Sequence, residues 1–362
     1  MLKQPTQDLR YIANDEGSEG LGVAWAELSL RSADHAPCAA PELVLPFLKR
    51  AHVASVYAQD HLVLAMPLQR GRLVDSSHHS PVSDCGLCHA DRLNGPAAVS
   101  LLLSKCRQPI LLKSIPVQSQ FYAMMENAAG HFAVLQKWQR AGLEVKGSYD
   151  GWLSRSLDPK RRKELKRLRN RLNEQGDLKL AVLQPDGSAA PFIASFLELE
   201  AAGWKGKSGT ALGSEDDLAA TTHKALAALH QVGKLRFWSL KLGERTIASL
   251  FAYVDGNKAN LGKIAHDEAY GKYSPGSLLV LDATESIFNE GSIIEVDSSA
   301  VPGHPMIDHL WRDRLGFADI MVAPASVSTL RFGVIVMTER MRSFCRAALK
   351  SLYHLLTGKS RS

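Results

Sequence analysis

Three alternating apolar runs lie between positions 234 and 266, joined by glycine-bearing turns. Lys234–Leu242, Thr246–Val254 and Lys258–His266 each read as a strand, and Gly243-Glu244 and Asp255-Gly256 between them are hairpin signals. A helix over Ser277–Phe288, a strand over Ile293–Val296 and a helix over Pro305–Leu315 follow. Upstream, Leu178–Leu183 reads as a strand, and Pro191–Ala201 and Asp216–Gln231 read as helices. A meander, then a helix, then another strand is an α+β order with a mixed, mostly antiparallel sheet. It does not fit a doubly wound nucleotide-binding fold, which needs strands and helices in strict alternation.

The first half carries weaker signals. Leu43–Ala51 reads as a helix start after Pro41, and Ser55–Tyr57 and Leu62–Pro67 alternate as strands. Ala97–Cys106 reads as a helix and Pro109–Ile115 as a buried strand, with more helix over Gln120–Ala129 and Phe132–Ala141. A chain of 362 residues with 45% apolar content has room for two domains with a substantial core. The expected division is 1–150, 151–330 and a basic helix over 331–362. No run is long enough for a membrane-spanning helix, and the N-terminus lacks the apolar stretch of a secretory signal. The expectation is a cytoplasmic protein whose five cysteines are reduced.

The positive charge is concentrated. Residues 155–171 hold nine Lys/Arg and residues 339–362 hold six, which leaves the remainder slightly acidic. Asp158 is placed to cap a helix that starts at Pro159 and exits at Gly176. Its narrow apolar stripe is Leu165, Leu168 and Leu172, so the other faces meet water, a partner or a polyanion. In the C-terminal segment, Met337, Met341, Phe344, Cys345, Ala348, Leu352 and Leu355 recur at helical spacing among arginines. Such a helix either docks on the protein or lies on an anionic membrane, giving a peripheral contact through 339–362 at the inner membrane.

Several segments have the composition of a site. Tyr273-Ser274-Pro275-Gly276-Ser277-Leu278 leads from a strand into a helix, where free N–H groups suit a phosphate. The loop Ala202–Leu212 holds Trp204, Lys205 and Lys207 among glycines, after a helix that ends in Glu200. The stretch Asp297–Trp311 packs an acid, two hydroxyls, His304, His309 and a tryptophan behind a short apolar strand. His304, between Gly303 and Pro305, lies outside any regular element, whereas His309 is expected to pack on a helix. Asp84-Cys85-Gly86-Leu87-Cys88-His89, with His78 and His79 upstream, has the pattern of haem attachment or a zinc cluster, against the plainer reading of a polar loop. No metal is expected.

The strings AGWKGKSGTAL (202–212), KIAHDE (263–268), YSPGSLL (273–279) and DSSAVPGHPMIDHLW (297–311) stand in the order and spacing of one family. Together they resemble the bacterial GNAT-superfamily acyltransferases of the cellulose-biosynthesis (CelD-like) type, distant relatives of the Fem-type aminoacyltransferases. The resemblance is clear from about Trp152 to Trp311. It implies tandem GNAT-like domains, the second an acyl-CoA-dependent acetyltransferase with a link to polysaccharide biosynthesis. It also implies two splayed strands that bind the pantetheine arm, expected at Thr246–Val254 and Lys258–His266. A phosphate cradle is implied at Tyr273, Ser274, Pro275, Gly276, Ser277 and Leu278, with Lys263 beside it. That cradle departs from the family's usual Gln/Arg-x-x-Gly-x-Gly/Ala form.

Candidates for proton transfer are Asp297, His304 and Glu200. Trp204, Lys205, Lys207 and Trp311 would line the acceptor or its entrance. Ser299 stands where the family motif has Cys, which argues for direct transfer over a covalent thiol route. The acceptor implied is an amine or hydroxyl of a sugar, lipid precursor or small metabolite, and nucleic acid is not expected. Two rivals share the fold: a transferase using aminoacyl-tRNA, as the Fem relatives imply, and a non-catalytic scaffold for a membrane surface or partner. Against the first, the long helical arm of Fem proteins has no counterpart of sufficient length here.

Overall fold

The computed structural model describes residues 9–14, 19–48, 51–70, 74–75, 89–203, 212 and 216–357. The chain forms two compact units, one within 1–80, 84–139 and 316–362 and the other within 81–83 and 140–315.

Unit 1 contains β1 (Leu9–Asn14), β2 (Ala51–Ala58), β3 (His61–Arg70), β4 (Val74–Asp75), β5 (His89–Ala90) and β6 (Ile110–Pro116). It also takes the first part of β7 (His131–Glu144) and most of β13 (Asp313–Ala323). The strand order is β1-β2-β3-β4-β6-β13-β7, with β5 on β3. From β1 to β13 the pairing is antiparallel apart from β4 on β6. Helices α1 (Leu21–Leu30), α2 (Gly95–Lys105), α3 (Gln120–Ala128) and α9 (Thr329–Thr357) belong to this unit. Leu102, Phe121, Met125 and Ile320 are buried in its main core.

Unit 2 is built on the end of β7, then β8 (Leu178–Val182), β9 (Leu235–Leu242), β10 (Arg245–Asp255), β11 (Lys258–His266) and β12 (Glu295–Asp297). The order is β7-β12-β11-β10-β9-β8. All neighbours are antiparallel except β11 and β12. The helices are α4 (Tyr149–Ser156), α5 (Pro159–Asn173), α6 (Ala190–Ala202), α7 (Asp216–Gln231) and α8 (Pro275–Glu290). Local chemistry explains the boundaries. Gly243 (φ 58°) and Gly256 (φ 56°) take the left-handed backbone that tight hairpins require. The Asp158 side chain accepts from the Arg161 N–H at the start of α5, and Leu165, Leu168 and Leu172 are that helix's buried residues.

The α+β expectation holds in both units: each has a mixed, mostly antiparallel sheet flanked by helices. Three local expectations are corrected. Phe132–Ala141 is strand, within β7, where pairing with neighbouring strands of the sheet decides a sequence that fits either period. Within Pro305–Leu315 only the short turn Ile307–His309 is helical, and β13 starts at Asp313. Third, residues 316–362 cluster with unit 1 and not with a domain ending at 330. β13 pairs with β6, and Phe332 and Val336 of α9 pack with Leu111 and Met321 in a separate small core.

Candidate active site

The parallel pairing of β11 with β12 is short. It runs Lys258↔Glu295, Ala259↔Val296 and Asn260↔Asp297, and there β12 ends. β11 continues through Leu261 to His266, beyond the last β12 pairing, and among the described residues no further strand lies on that side. Its other edge remains paired with β10 from Asp255↔Lys258 to Ala248↔His266, across a register shift between Leu250 and Ala252. That shift is a bulge in β11, where Gly262 lies so close to Phe251 that a Cβ would overlap the ring. The expected splay of Thr246–Val254 from Lys258–His266 is therefore corrected. Those strands are the paired ones, and the wedge opens between β11 and β12.

The wedge is bordered by the start of α8. Ser274 adopts φ 53°, ψ 50°, and Pro275 occupies the first turn. The Leu278 N–H bonds the Ser274 carbonyl, so Gly276 and Ser277 are left as N–H groups with no bonded partner among the described residues. A Cβ built on Gly276 would contact Met306, Ile264 and, at 3.7 Å, Nδ1 of His266. The end of β11, the α8 N-terminus and the 306 turn thus meet at one point. Tyr273 is half-buried with the Lys272 ammonium 5.0 Å above its ring, and Pro275, Gly276, Ser277 and Leu278 are buried. Two orphan N–H groups beside the end of β11 fit a phosphate with a chain that continues along the strand.

Ionisable groups gather next to this point. Glu200, at the end of α6, is buried and accepts from Lys263 Nζ at 3.2 Å and from the Leu212 N–H at 2.8 Å. The pair bridges α6 and β11, bringing together a residue expected as a base and one expected beside the phosphate cradle. A cavity of about 430 Å3 adjoins them, lined by Glu198, Glu244, Arg245, His266, Asp267 and Glu268 among others. Arg245 pairs with Asp267 at 2.5 Å and lies over the Tyr270 ring. His266 borders both the cavity and the start of α8. It occurs in a quoted motif, KIAHDE, but sequence reasoning did not rank it. Its only signal there was its place as the last residue of a strand.

The Asp297–Trp311 stretch is rearranged relative to expectation. Asp297 is locked in a buried network. Its Oδ2 accepts from Arg140 at 2.6 Å and Asn260 at 3.1 Å, and its Oδ1 accepts from the Ser299 N–H at 2.9 Å. Three donors, one of them a buried guanidinium, hold the carboxylate in place, so the structure points to anchoring over the expected base role. Trp311 is corrected from acceptor contact to core. It is 1% exposed and its Nε1 donates to Thr284 Oγ1 on α8 at 3.1 Å. His304 Nδ1 accepts from the N–H groups of Met306 (3.3 Å) and Ile307 (3.4 Å), which makes it the cap of the following turn. His309 is exposed instead of packed. Trp204, Lys205 and Lys207 lie outside the described residues, as do Cys85, Cys88, His78 and His79. His89 is buried, its Nδ1 accepting from Trp25 Nε1 at 2.9 Å. Among the described residues no group of three or more His, Cys, Asp or Glu side chains is arranged for a metal ion.

Residues 159–300 match the family model described as an acetyltransferase (GNAT) domain. A comparison with curated proteins finds no match. Among solved structures, L-PGS from Bacillus licheniformis is similar at 13% identity, over 91% of this chain and 98% of that one, with a TM-score of 0.56. FemX is similar at 9% identity, over 83% and 95%, with a TM-score of 0.55. The C-terminal domain (DUF2156) of a putative lysylphosphatidylglycerol synthetase from Agrobacterium fabrum is similar at 12% identity, over 88% and 95%, with a TM-score of 0.53. At such identities the likeness is one of fold. Unit 2 carries a GNAT-type acyltransferase domain, and the protein is an acyltransferase.

Proposed function

We propose that unit 2 binds an acyl-CoA in the β11–β12 wedge and passes its acyl group directly to an amine or hydroxyl acceptor held in the adjoining cavity. The observation that carries this reading is that β11 outruns β12 and ends against a helix start with two orphan N–H groups. Acyl-CoA supplies an activated thioester when bound. The chain's own residues supply the rest. The part of β11 that outruns β12 aligns an extended amide-bearing arm by strand-like hydrogen bonds. Gly276 and Ser277 hold a phosphate. His266 borders both compartments and is the group best placed to accept the acceptor's proton. The Glu200–Lys263 pair fixes the strand and α6 around it.

The cavity's acidic lining, Glu198, Glu244 and Glu268 beyond the Arg245–Asp267 pair, favours a cationic amine over a neutral hydroxyl. The resemblance to CelD-like acetyltransferases directs the search toward amino sugars and similar metabolites. His266→Gln is expected to lower turnover by about 100-fold or more while acyl-CoA binding persists. The assay is release of free CoA thiol with a panel of amines, beside calorimetry of CoA binding. Unchanged turnover in that variant removes His266 from the chemistry.

A second reading, transfer from aminoacyl-tRNA, is supported by the fold shared with FemX and L-PGS and by the exposed cations of α5, including Lys160, Lys163, Lys166 and Arg171. It requires salt-dependent tRNA binding and no response to acyl-CoA.

A further inference from the structure

Helix α9 has two faces of opposite character. Phe332 and Val336 are buried against Leu111 and Met321 of unit 1. On the other side Leu330, Val334, Met337, Met341 and Phe344 recur at helical spacing and form one stripe, each between 58% and 80% exposed. Arg331, Arg340 and Arg342 stand between these residues along the helix, Arg346 follows them, and Arg340 also donates to the Val134 carbonyl at 2.7 Å. Its one acid, Glu339, is buried and pairs with Arg342 at 3.4 Å. No described helix is long and apolar enough to cross a membrane.

We propose that α9 lies in the plane of an anionic lipid surface, with the 330–344 stripe among the acyl chains and the arginines at the headgroups. A second copy of the helix matches the stripe's spacing but not its charge. Arg331 and Arg340 flank the apolar positions, and the helix presents no exposed acid to answer them. Anionic headgroups supply the missing counter-charge, and the apolar stripe supplies burial that charge alone would not. The inference concerns unit 1 and does not depend on the donor used by unit 2.

The test is co-sedimentation of the full chain with vesicles of phosphatidylglycerol and phosphatidylcholine, against pure phosphatidylcholine. The comparison protein is the triple variant Met337→Gln, Met341→Gln, Phe344→Gln, which keeps the charge and uses a good helix former at solvent-facing positions. Wild type is expected to bind the anionic vesicles about tenfold or more tightly than the neutral ones, with weaker binding at high salt. The variant is expected to lose about tenfold or more of that affinity with unchanged circular dichroism and unchanged acyl-CoA binding. Equal binding of wild type and variant, or no preference for anionic vesicles, overturns the proposal. So does light scattering that shows a wild-type dimer converted to monomer by the variant, which would assign the stripe to a second copy.

Discussion

Arg140 and Asp297 show how much a single contact can reassign. The guanidinium is 3% exposed and the carboxylate 12%, and they meet at 2.6 Å. Removing one partner of a buried pair leaves the other uncompensated, which costs about 3–5 kcal/mol. Asp297→Ala is therefore expected to lower the unfolding free energy, measured by urea denaturation, by an amount of that size and to shift the midpoint down accordingly. A variant with an unchanged midpoint and no turnover would return Asp297 to the chemistry. The pairing was not legible in the sequence because the partners lie 157 positions apart. What was visible, an acid closing an apolar strand, fits an anchor as well as a base. His266 was missed for the converse reason. Only the meeting of β11, α8 and the cavity gives a strand-terminal histidine a task. Cys106 illustrates burial acting alone. Desolvation pushes its thiol up to about 11, so it stays protonated at neutral pH, whereas Cys345 is exposed. Site-resolved alkylation at pH 8 is expected to label Cys345 well before Cys106, and equal rates would show that the α2 end opens readily.

At the scale of elements, the meander and α8 were the most legible parts. Their punctuation, Gly243, Gly256 and the Ser274-Pro275 entry, is local chemistry that acts without tertiary help. β7 was not legible in the same way, since FAVLQKWQRA offers apolar positions to either period and only strand pairing decides between them. The bulge at Gly262 also lies beyond sequence reading, yet it shapes the end of β11. Gly262→Ala would force a Cβ into the fully buried Phe251 ring, and the cost is expected to be about 1–3 kcal/mol with loss of acyl-CoA binding. Unchanged stability and binding in that variant would show that the bulge is not needed.

Arg169 on α5 pairs with Asp282 on α8, and burial nonetheless holds the Asp282 carboxyl above its ordinary value of 3.8. In the window above 3.8 the folded state keeps a proton that the unfolded chain has released. The site's contribution to stability is therefore full below that value and is lost as the pH rises through the raised one. Relative to Asp282→Asn, wild type is expected to gain stability as the pH falls toward 3.8, measured by urea denaturation at a series of pH values. A pH-independent difference between the two would contradict this.

For the whole molecule, composition and element order were enough for the α+β class, but not for where the chain divides. The chain returns to unit 1 after 315 because β13 pairs with β6, a contact between segments some 200 positions apart that no local signal announces. The unit holding the acyltransferase domain is thus enclosed within the sequence of the other. The central claim is that the β11–β12 wedge of unit 2 holds an acyl-CoA. Its most direct test is calorimetry of the full chain with CoA, acetyl-CoA and longer acyl-CoAs, checked by thermal shift. Binding of at least one acyl-CoA is expected, with stabilisation of about 2.7 kcal/mol at 100 times Kd, and its loss in Gly262→Ala. No heat and no stabilisation with any of these ligands, alongside salt-dependent binding of aminoacyl-tRNA, would contradict the account.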